Sequence, residues 1–230
     1  IKPPLPFVPG IEAVGTVVEV GSQSKYKIGD RIATTGIGAF GEKMAAQDSM
    51  TFLVPPGMNN VDAAAIRIIY ETSYMAIKYK AQMQPGEVLL VHGGAGGVGT
   101  SAIQVGKALG GMVIATATGE RDIKVCFDTG ADHVIDWQNE DIVTRVKELT
   151  DGRGADVIYD PVGGDAFDAS THCINFEGRL IVIGFASGRI PEIKGHMILN
   201  KNMSVMGFFW TNYLFKRPDL VDDYQDEINR

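Results

Sequence analysis

The sequence predicts an α/β protein in which a parallel sheet flanked by helices follows a smaller, β-rich region. Three observations lead to this prediction. From Glu87 onward, apolar strand-like runs alternate with helical patterns, the order expected of a parallel sheet with right-handed crossovers. A glycine-rich turn at residues 93–99 joins the first of these strands to the first helix. Before residue 58, short β-patterned runs are interrupted by glycine, which is typical of a small barrel or sandwich.

Each part of this plan rests on a local pattern. In the β-rich region, strands are predicted at 13–20, 31–34 and 39–44. A helical pattern runs from Val61 to Lys80, with Asp62 favouring an N-terminus, and we interpret it as a connector. An apolar segment from Met203 to Phe208 predicts a sixth, edge strand, and Asp219 begins a helical pattern. Between the connector and the edge, strands are predicted at 88–91, 112–115, 133–135, 157–159 and 180–183, and helices at 98–109, 120–127, 141–149 and 166–174.

The glycine-rich turn has G-x-G-x-x-G spacing at Gly94, Gly96 and Gly99. In a dinucleotide-binding turn, such glycines allow a tight turn, close approach of the backbone to a pyrophosphate, and close packing of helix on strand. The helix that follows offers unpaired N–H groups and the positive end of its dipole. Between a strand and a helix, this spacing favours a doubly wound, Rossmann-type sheet that binds a dinucleotide over a plain turn.

The end of the second strand of the sheet indicates which dinucleotide is bound. An NAD site has an acidic residue about 20 residues after the glycines, where it binds the ribose 2′-OH. Here the strand ends in ATATG at residues 115–119, and a carboxylate first appears at Glu120. Hydroxyls and Arg121 suit a 2′-phosphate better because they donate hydrogen bonds and positive charge. NADP(H) is therefore favoured over NAD(H), although Asp122 beside Arg121 opposes a phosphate.

Composition narrows the classes of partner. The formal net charge of −7 argues against nucleic acid or an anionic membrane surface as the main partner. The two cysteines, Cys126 and Cys173, are too few for a disulfide framework or a zinc lobe with several thiolates, and we interpret them as core residues. No apolar segment is long enough to span a bilayer and the start lacks a signal-peptide pattern, so the cytoplasm is the expected compartment.

Six motifs in order resemble the medium-chain dehydrogenase/reductase superfamily, in its zinc-free branch of zeta-crystallin-type NADPH:quinone oxidoreductases. They are PGIEAVG at 9–15, GDR at 29–31, AGGVG at 95–99, GAD at 130–132, DPVGG at 160–164 and GRLIVIGF at 178–185. The resemblance implies that 1–60 is part of a GroES-like catalytic domain, 61–80 a connecting helix and 81–208 the Rossmann cofactor-binding domain. Residues 209–230 would begin a segment that returns to the catalytic domain. Because relatives extend further at both ends, we expect the chain to be truncated.

The resemblance also implies roles for individual residues. It places pyrophosphate contacts at Ala95, Gly96, Gly97 and Val98, adenosine-phosphate contacts at Thr118, Gly119 and Arg121, and nicotinamide contacts at Gly184 and Phe185. Two positions depart from the pattern. Asp122 stands where relatives have a lysine that binds the 2′-phosphate, and Trp137 stands where they often have a tyrosine. Trp137 could still stack on the adenosine side, and the departure at Asp122 weakens the preference for NADPH.

The expected chemistry needs no metal. Ile11 stands where zinc-dependent relatives have a histidine, and the four histidines show no metal-ligand spacing. Without a Lewis acid to polarise an alcohol, reduction of an electron-poor acceptor is favoured over alcohol oxidation. Tyr70 and Thr72 match a Tyr-x-Thr-x-x-Tyr stretch that faces the nicotinamide in the family, and we take them as candidate catalytic residues, with packing in the connector as the alternative.

Three functions stay open at this point. The leading hypothesis is an NADPH-dependent quinone reductase with a small-molecule quinone as substrate. The second is reduction of α,β-unsaturated carbonyls (enones) or enoyl thioesters, and the third is a non-catalytic NADPH-binding or structural module. An unpaired edge strand exposes backbone N–H and C=O groups that can pair with another chain. We therefore also expect a homodimer through the edge strand between Met203 and Phe208.

Overall fold

A computed structural model of the chain describes residues 5–229. These residues form two compact units. The first unit comprises the described residues up to Glu71 together with those from Trp210 onward, and the second unit runs from Thr72 to Phe209. The predicted division at 60, 80 and 208 stays a prediction, and its first four residues and its last residue lie outside the described part.

Strands and helices are numbered in chain order. The strands are β1 (Glu12–Thr16), β2 (Arg31–Thr35), β3 (Thr51–Leu53), β4 (Val88–Val91), β5 (Met112–Ala117), β6 (His133–Asp136), β7 (Ala155–Asp160), β8 (Ile174–Val182) and β9 (Ser204–Gly207). The helices are α1 (Asn60–Ala65), α2 (Glu71–Tyr74), α3 (Gly97–Ala108), α4 (Gly119–Thr129), α5 (Ile142–Leu149), α6 (Gly164–Cys173), α7 (Gly195–Lys201), α8 (Trp210–Lys216) and α9 (Pro218–Ile228).

The first unit contains a three-stranded antiparallel sheet with β2 in the centre. Residues of β2 and β3 pack with the start of the connector in a small apolar core: Ala33, Phe52, Val54, Ala63 and Ile66. The strand predicted at 39–44 is wrong. Gly38 has a left-handed φ of +104°, and its carbonyl accepts the Gly41 N–H at 2.9 Å, so this segment turns instead of extending.

The connector predicted from 61 to 80 is helical throughout, with an irregular hydrogen-bond pattern. Two π-helical segments, Ile66–Tyr70 and Met75–Lys80, follow α1 and α2. The side chain of Asn59 caps the start by accepting the Asp62 N–H at 2.9 Å, so Asp62 lies in the first turn as expected. Single π turns are often found at functional positions in helices.

The second unit is built on six parallel strands in the order β6-β5-β4-β7-β8-β9. All four residues of β4 are buried, as expected of a central strand covered on both faces. The order reverses between β4 and β7, which is the doubly wound arrangement that leaves a crevice at the carboxyl ends of these strands. The predicted fold class, a Rossmann-type sheet with a smaller β-rich region, is confirmed.

Two elements of the second unit differ from prediction. Strand β8 begins at Ile174, six residues earlier than predicted, and contains an irregularity where Glu177 has a φ of +56°. Helix α7 was not predicted from its pattern. Among the described residues, no helix is long and apolar enough to cross a membrane.

Candidate cofactor site at the carboxyl edge of the sheet

The glycine-rich turn lies where β4 ends at the crevice. Gly93 adopts a left-handed φ of +60°, and the Gly94 N–H donates to the Thr116 carbonyl at 2.9 Å, which ties the turn to the end of β5. Gly96 is the N-cap of α3 and has no side chain to cap it. Because the first-turn N–H groups of a helix have no intrahelical acceptor, those of α3 remain available. Gly96 and Gly97 are exposed, and Ala95 and Val98 are half-buried.

The glycines of the motif differ in what surrounds them. A Cβ on Gly94 would lie 2.8 Å from both Ala115 Cβ and Cys126 Sγ, and one on Gly99 would lie 2.1 Å from the Gly93 carbonyl oxygen. A Cβ on Gly96 would meet only that same oxygen, at 3.3 Å. Gly94 and Gly99 therefore permit close packing beneath the turn, whereas Gly96 leaves the outer surface of the turn without a side chain. This arrangement fits a diphosphate resting on the first turn of α3.

A buried polar layer supports the turn from below. His92 Nε2 lies 2.8 Å from Ser170 Oγ, and the Ser170 hydroxyl donates to the Ala166 carbonyl. His92 Nδ1 lies 3.3 Å from Thr116 Oγ1, which accepts the Gly93 N–H at 3.2 Å. These directions fit a neutral imidazole that donates from Nε2 and accepts at Nδ1. Burial lowers the pKa of His92, and the charge of Asp160 opposes that shift only in part.

Asp160 organises the other side of the crevice, at the end of β7. Its Oδ1 accepts the N–H groups of Val162 and Gly163, both at 2.9 Å. The side chain is fully buried, and Oδ2 has no hydrogen-bond partner among residues 5–229. The paired N–H groups fix the turn that leads into α6.

The loop after β8 is fastened to this turn by its backbone. The Ala186 N–H donates to the Pro161 carbonyl at 3.1 Å, and the Ser187 N–H donates to the Val162 carbonyl at 3.0 Å. Gly184 is half-buried, and Phe185 is 43% exposed. The two residues predicted near the nicotinamide therefore lie on a loop that backbone hydrogen bonds hold in place. This loop is at the same edge of the sheet as the glycine turn.

The residues predicted for the adenosine side lie at the ends of β5 and β6. The register pairs Ala117 with Asp136, which brings Thr118 and Trp137 to neighbouring strand ends. Thr118, Gly119, Arg121 and Trp137 are all exposed. The Arg121 guanidinium has no hydrogen bond or ion pair within the described part of the chain. A positive side chain is thus free at the position where a 2′-phosphate is predicted.

The two candidate catalytic residues fall on either side of the division between the units. Tyr70 belongs to the first unit, and burial, with a smaller contribution from Asp62, raises the pKa of its hydroxyl. Thr72 opens the second unit and is 7% exposed. Their roles toward the nicotinamide stay predictions.

Two buried polar groups were not found from the sequence. In the first unit, Glu71 Oε2 accepts the Trp210 indole N–H at 2.6 Å, and Arg67 Nε lies 3.2 Å from Glu71 Oε1. Burial raises the pKa of Glu71 to about 8, with Arg67 opposing the shift. The i, i+4 spacing of Arg67 and Glu71 in a helical pattern is the sequence signal that could have found this pair. The other group is a cluster of buried hydroxyls in the second unit, formed by Ser73, Ser101 and Tyr159.

In residues 5–229, no group of three or more His, Cys, Asp or Glu side chains is arranged to hold a metal ion. Cys126 and Cys173 are buried free thiols, as the sequence predicts, and burial raises the pKa of both.

Comparisons with known proteins agree with the geometry. The model of the family described as "Zinc-binding dehydrogenase" matches residues 97–226, and that described as "Alcohol dehydrogenase GroES-like domain" matches residues 1–56. The chain is also 37% identical over 98% of its length to the "Quinone oxidoreductase-like protein 2 homolog" of Nematostella vectensis. The chain belongs to the medium-chain dehydrogenase/reductase superfamily, in its quinone oxidoreductase branch.

Other members of the branch are similar along most of the chain. The rat "Quinone oxidoreductase-like protein 2" is 35% identical over 92% of the chain. The structure of Escherichia coli quinone oxidoreductase in complex with NADPH superposes with a TM-score of 0.90 at 29% identity. The matched region covers all of this chain and 71% of the Escherichia coli chain. The chain spans 63% of the Nematostella relative and 61% of the rat relative.

Proposed function

We propose that this dehydrogenase/reductase binds NADPH across the carboxyl edge of its parallel sheet and reduces a quinone. The observation that carries the proposal is the glycine turn, whose uncapped helix N-terminus opens at the crevice where the strand order reverses. A structural relative in complex with NADPH supports the choice of cofactor. When bound, NADPH supplies the hydride, and the chain binds and orients it.

In the turn from Ala95 to Val98, the Gly96 N–H donates to the Gly93 carbonyl at 3.0 Å, and the N–H groups of Ala95, Gly97 and Val98 are the proposed diphosphate contacts. They need no positive side chain, because the α3 dipole and the unpaired N–H groups attract the anion locally. This is relevant in a chain of net charge −7, whose overall field repels a cofactor phosphate.

The adenosine half of NADPH is assigned to the exposed ends of β5 and β6. Arg121, free of other partners within the described residues, is proposed to bind the 2′-phosphate, with Thr118 and Gly119 beside it. Trp137 is proposed to stack on the adenosine side. Asp122 lies on the same helix turn as Arg121 and reduces, by its charge, the expected preference for NADPH over NADH.

The nicotinamide end is assigned to Gly184 and Phe185, with Tyr70 and Thr72 as its proposed catalytic partners. We propose that the reaction needs no zinc, because Ile11 cannot serve as the ligand that a histidine provides in zinc-dependent relatives. An acceptor that is already electron-poor, such as a quinone, needs hydrogen bonds to its oxygen more than a Lewis acid. The cytoplasm and a homodimer through β9 stay predictions.

NADPH affinity and turnover test the proposal together. We expect the chain to bind NADPH more tightly than NADH and to oxidise it faster with a quinone than without an acceptor. Faster oxidation with an enone than with a quinone would favour the alternative reductase, and tight binding without turnover on either acceptor would favour a non-catalytic module. Absence of NADPH binding would overturn all three.

A matched pair of variants tests the site itself. Gly96→Asp supplies a good N-cap to α3 and places a carboxylate where the diphosphate is proposed to lie. We expect NADPH affinity to fall by about tenfold or more without loss of stability. Gly195→Asp, which adds a carboxylate in open space at the start of α7, is the control and should leave affinity unchanged.

A further inference from the structure

A cluster of three buried hydroxyls lies beneath α3 in the second unit. It consists of Ser73 on α2, Ser101 on α3 and Tyr159 on β7. Ser73 Oγ lies 2.7 Å from Ser101 Oγ and 3.0 Å from the Tyr159 hydroxyl. Both serine hydroxyls also reach the Val98 carbonyl, each at 3.1 Å. Side chains far apart in sequence therefore meet at one backbone carbonyl.

The cluster is closed to solvent. Ser73 and Tyr159 are 0% exposed and Ser101 is 1% exposed. Burial raises the pKa of Tyr159, so its hydroxyl stays protonated. Since a buried hydroxyl without a partner is costly, each of the three has a strong preference for the arrangement that satisfies it. The cluster thus resists displacement of any one of its elements.

The position of the cluster connects two proposed parts of the site. Val98 is the second residue of α3, within the turn proposed to hold the diphosphate. Ser73 directly follows Thr72, a proposed nicotinamide-facing residue. Tyr159 is the penultimate residue of β7, and its carbonyl accepts the His92 N–H at the end of β4. A change in the cluster should therefore move the α3 turn relative to Thr72.

We propose that Ser73, Ser101 and Tyr159 are positioning residues that fix the first turn of α3 and Thr72 in register for NADPH. The proposal rests on the proposed function, since it concerns how the same cofactor is held. It predicts an effect on the diphosphate and nicotinamide end of the cofactor. The adenosine end, bound at the tips of β5 and β6, is expected to be indifferent to the cluster.

The test compares whole NADPH with a fragment that carries only the adenosine end. Dissociation constants for NADPH and for adenosine 2′-phosphate are measured with the unsubstituted chain, Ser73→Ala, Tyr159→Phe and the double variant. Loss of one hydroxyl should weaken NADPH binding about three- to tenfold, the range that one buried hydrogen bond supports. Binding of adenosine 2′-phosphate should change less than about twofold, and the double variant should lose less than the sum of the single losses.

A matched control separates this role from general loosening. Tyr26→Phe in the first unit removes another buried tyrosine hydroxyl, which donates to the Thr51 carbonyl, and it should leave both affinities unchanged. Equal weakening of NADPH and the fragment, or unchanged NADPH binding in both single variants, would overturn the positioning role. Failure of the unsubstituted chain to bind NADPH would instead overturn the proposed function on which the role rests. If Tyr159→Phe does not fold, Ser101→Ala takes its place.

Discussion

The two units hold their buried polar groups in different ways. In the second unit, His92, Thr116 and Ser170 are neutral and form a directional chain in which each donor meets an acceptor. In the first unit, Glu71 and Arg67 form an ion pair whose Nε and Oε1 atoms lie 3.2 Å apart without hydrogen-bond alignment. Arg67 is 3% exposed, and its guanidinium lies 5.5 Å from the centre of the Phe52 ring. The three neutral groups of the second unit are satisfied by hydrogen bonds, whereas the Arg67–Glu71 pair of the first unit interacts through charge.

This difference predicts which kind of change should destabilise each unit most. A neutral hydrogen-bonded layer depends on shape, so the second unit should respond most to steric change. A buried ion pair depends on both partners, so the first unit should respond most to removal of one charge and to pH. The chain has one tryptophan in each unit, Trp137 and Trp210, so fluorotryptophan labelling with fluorine NMR follows their unfolding separately.

A steric change in the second unit should cause the greatest loss of stability. In Gly99→Ala, the new Cβ would lie 2.1 Å from the Gly93 carbonyl oxygen, so the turn or α3 must move. We expect a loss of about 3 kcal/mol or more in the free energy of unfolding, read from Trp137 in urea. Gly195→Ala in the same unit, where a Cβ meets nothing within 4 Å, is the matched control. A Gly99→Ala chain as stable as the control would mean that the turn is not tightly packed.

The next effect is electrostatic and belongs to the first unit. Above pH 8, where Glu71 is ionised, Arg67→Met leaves the buried carboxylate without its opposite charge, which should cost about 3 kcal/mol in the unfolding followed by Trp210. Replacing both partners, as Arg67→Met with Glu71→Gln, should recover most of that loss because no buried charge remains and the amide oxygen can still accept the Trp210 N–H. If the double variant is less stable than the single variant, the pair stabilises this interior more than neutral side chains would, and the comparison between the units fails.

A pH series should move the two units in opposite directions. The pKa of Glu71 is raised from an ordinary value of 4.5 to about 8, so the folded first unit retains a proton that the unfolded chain releases. Its stability is therefore highest at acid pH and should fall as pH rises from about 4.5 toward 8. Glu71→Gln should flatten this dependence. A first unit whose stability rises between pH 5 and 8 would contradict the assignment.

The second unit should show the reverse sign through His92, because there burial acts on a base. Burial holds the pKa of His92 below its ordinary value of 6.5, so unfolding takes up a proton in acid. Stability of the second unit should therefore be retained above pH 6.5 and decline as pH falls below it. Trp137 and Trp210 signals that lose stability together on the acid side would show that the units do not differ in this way.

The fold could be predicted because it depends on periodic patterns. Buried runs such as Val88–Val91 and the glycine turn identify a parallel sheet without knowledge of any contact. The exceptions have local causes: Glu177 interrupts β8 with a left-handed φ, and Gly38 converts an apolar run into a turn. Neither backbone angle can be read from the spacing of apolar residues. The start of β8 was therefore misplaced, and a strand was wrongly predicted at 39–44.

The candidate site was predictable only where a local motif or a strand end marks it. The glycines, Arg121 and the strand ends follow from motif and topology. The supporting layer does not, because Ser73 and Tyr159 are 86 residues apart and nothing in either local sequence marks their contact. The same holds for the bond between Glu71 and Trp210, which are 139 residues apart. Buried polar groups of this kind require the tertiary structure.

The smallest expected effect separates hydrogen bonding from shape in the second unit. His92→Gln keeps one amide donor and one carbonyl acceptor, whereas His92→Leu removes both and leaves Ser170 and Thr116 without their shared partner. We expect Gln to cost about 1 kcal/mol in the unfolding followed by Trp137 and Leu to cost about 1 kcal/mol more, since it leaves the buried Thr116 hydroxyl donor without its acceptor. Gln should also abolish the decline in acid, because an amide does not titrate. Equal losses in the two variants would mean that the imidazole acts by filling space, and the second unit's interior would then depend on packing alone.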